Sequence, residues 1–365
     1  MKRIRCSTRT CTAAALQLTL FAWCAASNAQ NGYVIADQDV VSSANMALML
    51  LLQSPEVHLL GITVVTGDAW RDEEVAHALQ FVEGLGRTDV PVLAGSAFPL
   101  VRTAEETRLF NKLYGKPFYL GAYADPGAPA KWDRIDPANL AEGLPKIRPA
   151  DEDAAHFMMR MVHAHPHQVT IWAAGPLTDV AMACRLDPHF AELAQELVLM
   201  GGSLNPQTEA AEWVNRPRHE FNFWFDPEAA SITLRERWAK VTTTTIDVSV
   251  KTHAEPEVLD GLAKVQSPAA VWVTRYTKRP VFPNYLWDEL AAAAWIDPTL
   301  IPGERLLYMD VATDHGPAYG DTLVYTDPDK PALLPSRVHA ITDVDLPRLQ
   351  KMLVERLSTP AAASK

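Results

Sequence analysis

The chain has little cysteine, and most of it lies near one end. Only four of the 365 residues are cysteine, and three of these precede residue 25. Cys184 is the one thiol in the rest of the chain, so no disulfide can form there, and no Cys/His spacing typical of zinc is present. A fold held by disulfides or structural zinc is therefore excluded. Cys184 lies in a helical pattern and is expected to be a buried, small apolar side chain.

Basic side chains and long apolar runs are also scarce. The chain has 33 Lys and Arg against 44 Asp and Glu, a formal net charge of −11. This balance argues against nucleic acid or an anionic membrane surface as a partner. No stretch after residue 29 approaches the ~20 apolar residues that a membrane-spanning helix needs. We expect neither a nucleic-acid nor a membrane partner for the main part of the chain.

The first 29 residues have the pattern of a secretory signal peptide. Four positive charges precede an apolar stretch at residues 11–26, and a small-x-small cleavage pattern ends at Ala29. We predict cleavage before Gln30 and export to the periplasm or the extracellular space. Cleavage removes four positive charges and no negative ones, which takes the formal charge from −11 to −15. A lipoprotein through Cys24 is a weaker alternative because bulky Trp23 precedes it, and an uncleaved anchor is another.

Apolar runs alternate with amphipathic segments along the rest of the chain, which is typical of βαβ units. We predict a single α/β domain at residues 30–358, with a mostly parallel, Rossmann-like open sheet flanked by helices, and a disordered tail at 359–365. Residues 111–153 have little periodicity and predict a surface excursion over one edge of the sheet. Predicted strands are 33–36, 59–65, 90–94, 169–174, 197–200, 240–248, 306–311 and 322–326. Predicted helices are 46–53, 71–85, 153–164, 177–184, 227–235, 286–294 and 345–357.

Two of the predicted strands end abruptly in glycine, in VTIWAAG (169–175) and LVLMGG (197–202). Glycine at the carboxyl end of a buried parallel strand lets a ligand approach the backbone, and ligands bind at that edge of open α/β sheets. Glu220 and Asn222 alternate in the later EFN segment. Together these features predict a pocket for a small polyhydroxylated molecule. The alternative is that the glycines only make tight turns.

Carboxylates follow two of the predicted strands. Asp37 and Asp39 are separated by one residue, so both could reach one hard cation or orient one water, although such pairs also occur in turns and caps. Asp247 ends a later strand and would face them if the strands are neighbours; the alternative is a helix cap. Three converging carboxylates repel each other unless a cation or a proton lies between them.

Several long segments resemble the inosine-uridine-preferring nucleoside hydrolase family, in the right order, across residues 33–357. The segments are SPEVHLLGITVVTGD (54–68), GRTDVPVLAG (86–95), AAGPLTDVAMACRLDP (173–188), LVLMGGSLN (197–205), EFNFWFDPEAA (220–230) and WDELAAAAWIDP (287–298). The resemblance implies a nucleoside hydrolase-like α/β domain that cleaves the N-glycosidic bond of ribonucleosides. It also implies a Ca²⁺ ion at the strand tips, a small-molecule nucleoside as substrate, and a homodimer or homotetramer.

Carried over residue by residue, the resemblance implies where the site lies. Asp39 would bind the cation and accept the proton of the attacking water. The implied metal ligands are Asp37, Asp39, the backbone carbonyl of Ala174, and Asp247. The implied substrate-binding residues are Asn45, Asp68, Met200, Glu220, Asn222 and Asp247, with Asp68 standing where the family has Asn.

The family's first motif contains two pairs of Asp, and this chain shares only the first pair, Asp37 and Asp39. The motif's second Asp pair falls on Ser43 and Ala44, and a shift of one residue would put Asn45 in that role. Ca²⁺ is therefore expected to bind weakly, because the number of charged ligands sets affinity.

The family's proton-donating His falls on Ile246, which cannot donate a proton. The substitutes to test are His219, His253, Tyr285 and Asp288, although each is more commonly structural. One or two of the Trp in loops or at element ends could stack a nucleobase, although packing is their commoner use. These are Trp70, Trp132, Trp213, Trp224 and Trp287.

Two functional hypotheses follow. The first is an enzyme that hydrolyses a ribonucleoside or related N-riboside by metal-assisted attack of water, favoured by the retained strand-tip carboxylates. The second is a catalytically impaired nucleoside- or ribose-binding protein of the same fold, favoured by the replaced Asp pair and Ile246. Hydrolysis of a different glycosidic bond or of a modified nucleoside is a third hypothesis, favoured by Asp68 and the long excursion.

Overall fold

The computed structural model describes residues 32–42, 44–124, 130–253, 255–277 and 285–359. These ranges belong to one structural unit, Asn31–Lys365. The predicted signal peptide and the predicted tail beyond residue 359 lie outside the described residues, as does Ser43. No helix in the described ranges is long and apolar enough to cross a membrane.

A nine-stranded sheet forms the centre of the molecule. Its strands are β1 (Gly32–Gln38), β2 (Val57–Val64), β3 (Val92–Ala94), β4 (Val169–Ala174), β5 (Glu196–Met200), β6 (Val241–Thr244), β7 (Gly303–Val311), β8 (Thr322–Tyr325) and β9 (Val338–Asp343). The spatial order is β3-β2-β1-β4-β5-β6-β9-β7-β8. Only β7 runs antiparallel to its neighbours, β8 and β9. The prediction of a mostly parallel open sheet is confirmed.

The chain order reverses beside β1. This strand pairs with β2 on one side and with β4 on the other, and all three run parallel. Successive connections therefore leave β1 and β4 in opposite directions along the sheet. Such a switch point opens a crevice outside the carboxyl ends of the strands, which is where open α/β sheets bind their ligands.

Helices cover both faces of the sheet. They are α1 (Met46–Gln53), α2 (Arg71–Gly84), α3 (Ala104–Tyr114), α4 (Ala154–Ala164), α5 (Thr178–Leu186), α6 (Phe190–Leu193), α7 (Ala211–Val214), α8 (Phe221–Phe225), α9 (Pro227–Leu234), α10 (Ile246–Ser249), α11 (Glu255–Leu262), α12 (Pro268–Tyr276), α13 (Asp288–Ile296) and α14 (Leu346–Ser358). One apolar core includes α1, α2, α13 and α14, and the other includes α4, α5 and α9. Alternate residues of β1 enter the two cores, as a strand buried on both faces requires.

Helix α1 is buried along its whole length because its sequence, MALMLLLQ, is apolar all round. It packs against α13, α14 and β2. Asn45 begins the helix, since its side-chain oxygen accepts a hydrogen bond from the Leu48 amide at 2.8 Å. The amide of Ser54 ends it by donating to the Leu50 carbonyl at 3.2 Å. The predicted bounds of this helix are confirmed.

The later part of the predicted excursion covers the β3 edge of the sheet and the neighbouring α2. The Ala150 amide donates to the Val92 carbonyl at 2.8 Å, and Gln80 Nε2 donates to the Gly143 carbonyl at 2.7 Å. Its first residues belong instead to the end of α3, which was not predicted, and residues 125–129 lie outside the described residues.

The predicted strand at 240–248 is wrong in its second half. β6 ends at Thr244, and residues from Ile246 form α10. The Ile246 amide bonds to the Gly202 carbonyl at 3.1 Å and that of Ser249 to the Thr245 carbonyl, which turns the chain out of the sheet. β9 was not predicted, although it lies inside the sheet between β6 and β7. Helices α6, α7, α8, α11 and α12 were also not predicted. Where strands or helices were predicted, most observed bounds differ by at most three residues.

The complete burial of α1 predicts a large stability cost for truncating it. Leu50 has 0% of its surface exposed, so Leu50→Ala leaves a cavity and is expected to lower the free energy of unfolding by about 2–5 kcal/mol. Leu186→Ala, at a side chain 51% exposed, is the control and should change it by less than about 0.5 kcal/mol. Chemical denaturation measures both, and equal losses would contradict the packing described.

Candidate active site

The two carboxylates that follow β1 have different neighbours. Asp37 is fully buried, and its Oδ1 accepts a hydrogen bond from Thr63 Oγ1 at 2.7 Å. Its Oδ2 has no hydrogen-bond partner within the described residues. Burial raises the pKa of Asp37 well above its ordinary value, and Asp179 raises it further. The charged groups that raise the pKa of Asp39 differ from the one that raises the pKa of Asp37, so the two side chains have different electrostatic surroundings.

Asp39 is held against two glycine-bearing turns. The Asp68 amide donates to Asp39 Oδ2 at 3.1 Å. A Cβ atom added to Gly67 would lie 2.1 Å from that same Oδ2, and one added to Gly175 would lie 2.9 Å from Asp39 Oδ1. Only glycine allows so close an approach. The glycine after β4, singled out in the sequence, therefore makes room for this carboxylate.

Asp39 belongs to a cluster of mutually repelling carboxylates. Burial raises its pKa well above the ordinary value, followed by the charges of Asp68, Glu74 and Asp288. Burial also raises the pKa of Asp68 to about 6, against a hydrogen bond from Tyr119 that lowers it. For Asp288 the causes are burial, then Glu289 and Asp68. Such a cluster takes up protons or a cation, because like charges disfavour ionisation.

Asp288 and Glu74 are the members of this cluster that the sequence did not place. Asp288 begins α13, and its Oδ2 accepts a hydrogen bond from Gln38 Nε2 at 2.7 Å. Gln38 is the residue between Asp37 and Asp39, so this bond ties α13 to the tip of β1. The sequence analysis considered Asp288 only as a substitute acid. The available signal was its place in the WDELAAAAWIDP segment at the start of a helix.

Asp247 was predicted to face Asp37 and Asp39 if its strand and theirs were neighbours in the sheet. They are not neighbours. β4 and β5 separate β6 from β1, and three inter-strand steps span about 14 Å. Asp247 lies in α10, where its Oδ2 accepts a hydrogen bond from the Leu204 amide at 2.7 Å. Burial raises its pKa, against hydrogen bonds that lower it, the first of them from the Leu204 amide.

The predicted sugar-binding residues meet at the end of β5. Glu220 accepts hydrogen bonds from the amides of Gly202, Asn222 and Phe223 at 2.8–3.0 Å, and so caps α8. Asn222 Nδ2 donates to the Met200 carbonyl at 3.0 Å. Burial raises the pKa of Glu220, and its charge acts on Asp288. These contacts connect the end of β5 to the carboxylate cluster.

Ala174 lies beside the tip of β1, and Asn45 begins α1, the helix that follows β1. Asn45 Oδ1 is occupied as the cap of α1, which leaves its Nδ2 to donate to a ligand. Ala174 is the register partner of Gln38 at the tip of β4. Ala44, which stands where the family motif has an Asp, is buried with 6% of its surface exposed and supplies no side-chain oxygen.

The side chains at this edge fit a hard cation by their chemistry. Asp39 and Asp288 supply carboxylate oxygens, and the amide Oε1 of Gln38 is buried without a hydrogen-bond partner within the described ranges. All-oxygen donors suit Ca²⁺ or Mg²⁺. No three His, Cys, Asp or Glu side chains of the described residues are grouped so as to hold a metal ion. A cation here would therefore take two carboxylates and complete its coordination with neutral oxygens and water.

One proposed substitute acid is unsuited to donating a proton. His219 is buried, and burial lowers its pKa to about 3, with Arg216 and Arg102 acting in the same direction. Its ring packs 5.5 Å from that of Trp224. A neutral imidazole in this position is a packing residue at physiological pH. Ile246, which the resemblance assigned to the family's His position, is also buried.

The cluster predicts that apo stability depends on the charge of Asp68. Because its folded pKa is raised to about 6, the folded state binds more protons than the unfolded state between about pH 4 and 6. Stability is therefore lost as pH rises through that range. In the presence of chelator, Asp68→Asn is expected to stabilise the protein by about 1–2 kcal/mol at pH 8. The gain should shrink towards pH 4, as measured by thermal unfolding.

Asp133→Asn, at an exposed carboxylate, is the control for that measurement and should leave stability unchanged at both pH values. A loss of stability in Asp68→Asn at pH 8 would contradict the electrostatic account of the cluster.

Comparisons with known proteins agree with this geometry. The family model described as inosine-uridine preferring nucleoside hydrolase matches residues 34–351. The inosine-uridine preferring nucleoside hydrolase of Crithidia fasciculata is 29% identical over 283 residues, which cover 75% of this chain and 81% of that protein. The Leishmania major protein of the same name is 28% identical over 282 residues, with the same coverages.

A solved structure described as a purine-preferring ribonucleoside hydrolase from Gardnerella vaginalis shares the fold. Its TM-score is 0.70 at 23% identity, and the match covers 90% of this chain and 99% of that one. The fold, the crowded carboxylates at its switch point and the family match point to one conclusion. The chain belongs to the inosine-uridine preferring nucleoside hydrolase family and is a hydrolase of N-glycosidic bonds.

Proposed function

We propose that this hydrolase cleaves purine or pyrimidine ribonucleosides by attack of a water molecule that Asp39 deprotonates. The observation that carries the proposal is the position of Asp39, buried at the switch point with Asp68 and Asp288 as its charged neighbours. A carboxylate in this position can accept a proton from the attacking water as a general base. Inosine and uridine, which the relatives' names contain, are the first substrates to test.

The remaining carboxylates have a complementary role in the same step. Cleavage of the glycosidic bond develops positive charge on the ribose ring, and fixed negative charge close to it lowers the barrier. Asp68 and Asp288 supply such charge on one side of the crevice, and Glu220 with Asn222 borders the other. Three backbone amides hold Glu220 in place, so it needs little reorganisation when substrate binds.

Ca²⁺ is the proposed cation, with Asp39, Asp288, Gln38 and the Ala174 carbonyl as its ligands. When bound, it would lower the pKa of a coordinated water. The ligand set first predicted changes at two positions. Asp288 replaces Asp247, since Asp288 is bonded to the tip of β1, and Gln38, whose Oε1 has no partner within the described residues, replaces Asp37. With Ala44 in place of a carboxylate, affinity should fall in the weak range of about 10⁻⁴–10⁻³ M, which extracellular calcium concentrations can satisfy.

An exported location fits that affinity and the predicted signal peptide, and we propose the periplasm or the extracellular space. We also propose a homodimer or homotetramer, as in the resemblance noted from the sequence. The second candidate function, a nucleoside- or ribose-binding protein with impaired catalysis, is favoured by one observation. The described residues contain no group of three acidic, His or Cys side chains that could hold a metal.

Replacing the proposed base distinguishes the two candidate functions. The mature chain should release reducing sugar from inosine or uridine in the presence of Ca²⁺ but not of chelator. Asp39→Asn is expected to lower kcat by at least about 10²-fold, because the attacking water loses its proton acceptor. In the presence of chelator, its melting temperature should be unchanged or higher, since a repelling charge is removed.

Asp314→Asn, at an exposed carboxylate, is the matched control for Asp39→Asn and should retain full activity. Full activity in Asp39→Asn would show that another group activates the water. Nucleoside binding without release of sugar from any ribonucleoside would support the binding protein.

Calcium-dependent stability tests the ligand assignment separately from activity. About 10 mM Ca²⁺ is expected to stabilise the wild type by about 1–3 kcal/mol, given the affinity range above. Asp288→Ala should abolish this shift, whereas Asp247→Ala should retain it. Thermal unfolding with and without Ca²⁺ measures both variants. The reverse result would restore Asp247 to the metal site, and no shift in the wild type would exclude Ca²⁺.

A further inference from the structure

We propose that Glu212 is the acid that protonates the departing nucleobase. The inference rests on the proposed function and assigns a role that the family's missing His leaves vacant. Glu212 lies in α7, a short helix in the segment between β5 and α8. It carries a carboxyl group beside a set of aromatic rings that adjoin the carboxylate cluster.

The rings form a continuous group next to Asp288. Trp213 follows Glu212 directly, and its ring centroid lies 5.7 Å from that of Trp287 and 6.1 Å from that of Tyr285. Tyr285 and Trp287 lie 5.1 Å apart. Trp287 immediately precedes Asp288, so the aromatic group and the cluster share a boundary. A flat heterocycle attached to a ribose in the crevice would meet these rings.

Some rings of the aromatic group are exposed to solvent, whereas the buried Trp213 has an N–H donor without a hydrogen-bond partner. His253, 4.5 Å from Tyr285 by ring centroids, is exposed, and Tyr285 is partly exposed. Trp213 is 3% exposed, and its Nε1 has no hydrogen-bond partner within the described residues. A buried indole N–H normally finds an acceptor. The ring nitrogens and carbonyl oxygens of a nucleobase are acceptors of that kind.

The electrostatic surroundings of Glu212 favour a carboxyl that can give up a proton near neutral pH. Burial raises its pKa to about 7, and the charge of Glu220 acts in the same direction. Tyr285 is the other titratable group that interacts with it: burial and then the charge of Glu212 raise the tyrosine's pKa. Among the described residues, no cationic side chain acts on Glu212. A general acid works best with a pKa near the working pH.

The proton transfers balance in one turnover. Water adds its oxygen to C1′ as the bond between C1′ and the base nitrogen breaks, and the bonding electron pair leaves with the base. Glu212 donates its proton to the base, while Asp39 takes the proton lost by the water. Asp39 then releases its proton to solvent and Glu212 regains one, so the net reaction is nucleoside plus water to ribose plus base.

The test compares two leaving groups in the holoenzyme. Inosine needs a proton on its departing base, whereas p-nitrophenyl β-D-ribofuranoside releases a stable phenolate that does not. Glu212→Gln is expected to lower kcat on inosine by about 10²-fold or more and to change kcat on the p-nitrophenyl riboside by less than about twofold. Glu212→Asp, which keeps an acid on a shorter chain, should recover part of the inosine activity.

The pH profile adds a readout that a structural role would not change. In the wild type, kcat on inosine should fall as pH rises above about 7, because the acid must be protonated. Glu212→Gln should lose this limb of the profile. Glu209→Gln, at an exposed glutamate of the same segment, is the matched control and should behave as the wild type.

Three outcomes would overturn the assignment. Equal losses on both substrates would show that Glu212 only supports the fold, and no loss on inosine would show that another group is the acid. In both cases the proposed hydrolysis itself would stand. A wild type inactive on both substrates would instead overturn the proposed function together with the role of Glu212.

Discussion

Repulsion between buried carboxylates is the constraint around which this structure is arranged. Asp68 and Asp288 raise the pKa of Asp39, and Asp68 also raises that of Asp288, in a space that burial has already made unfavourable for charge. Such an arrangement costs stability unless a proton, a cation or a developing positive charge lies among the side chains. A reaction that passes through a ribosyl cation supplies that charge in its transition state. Repulsion among these carboxylates therefore favours the positive charge that the reaction develops.

The rest of the fold holds these groups in place against their repulsion. Two apolar cores fix β1 from both faces, and the Gln38–Asp288 hydrogen bond ties its tip to α13. Gly67 and Gly175 let the chain close around Asp39. On the far side, three backbone amides orient Glu220. A rigid scaffold is what allows like charges to be kept within reach of one substrate.

The general architecture and half of the site could be predicted from local patterns. Apolar runs ending in glycine located β4 and β5, and the alternation of runs with amphipathic segments identified the parallel sheet. Asp37 and Asp39 were found because strand tips are recognisable in the sequence. β9 and α7 were missed: β9 gains its stability from strands distant in sequence, and α7 is a single turn. No local pattern specifies such elements.

By itself, the sequence determined most of the strands, the glycines that end β4 and β5 and the carboxylates that follow β1, because these properties depend on neighbours a few positions away. Only the tertiary structure decided which distant carboxylate joins them. Asp247 and Asp288 both lie near the ends of apolar segments, yet β4 and β5 separate β6 from β1, while α13 meets β1 directly. Strand order and helix packing are set by contacts between residues distant in sequence. Which carboxylates lie together in the site therefore depends on the folded chain alone.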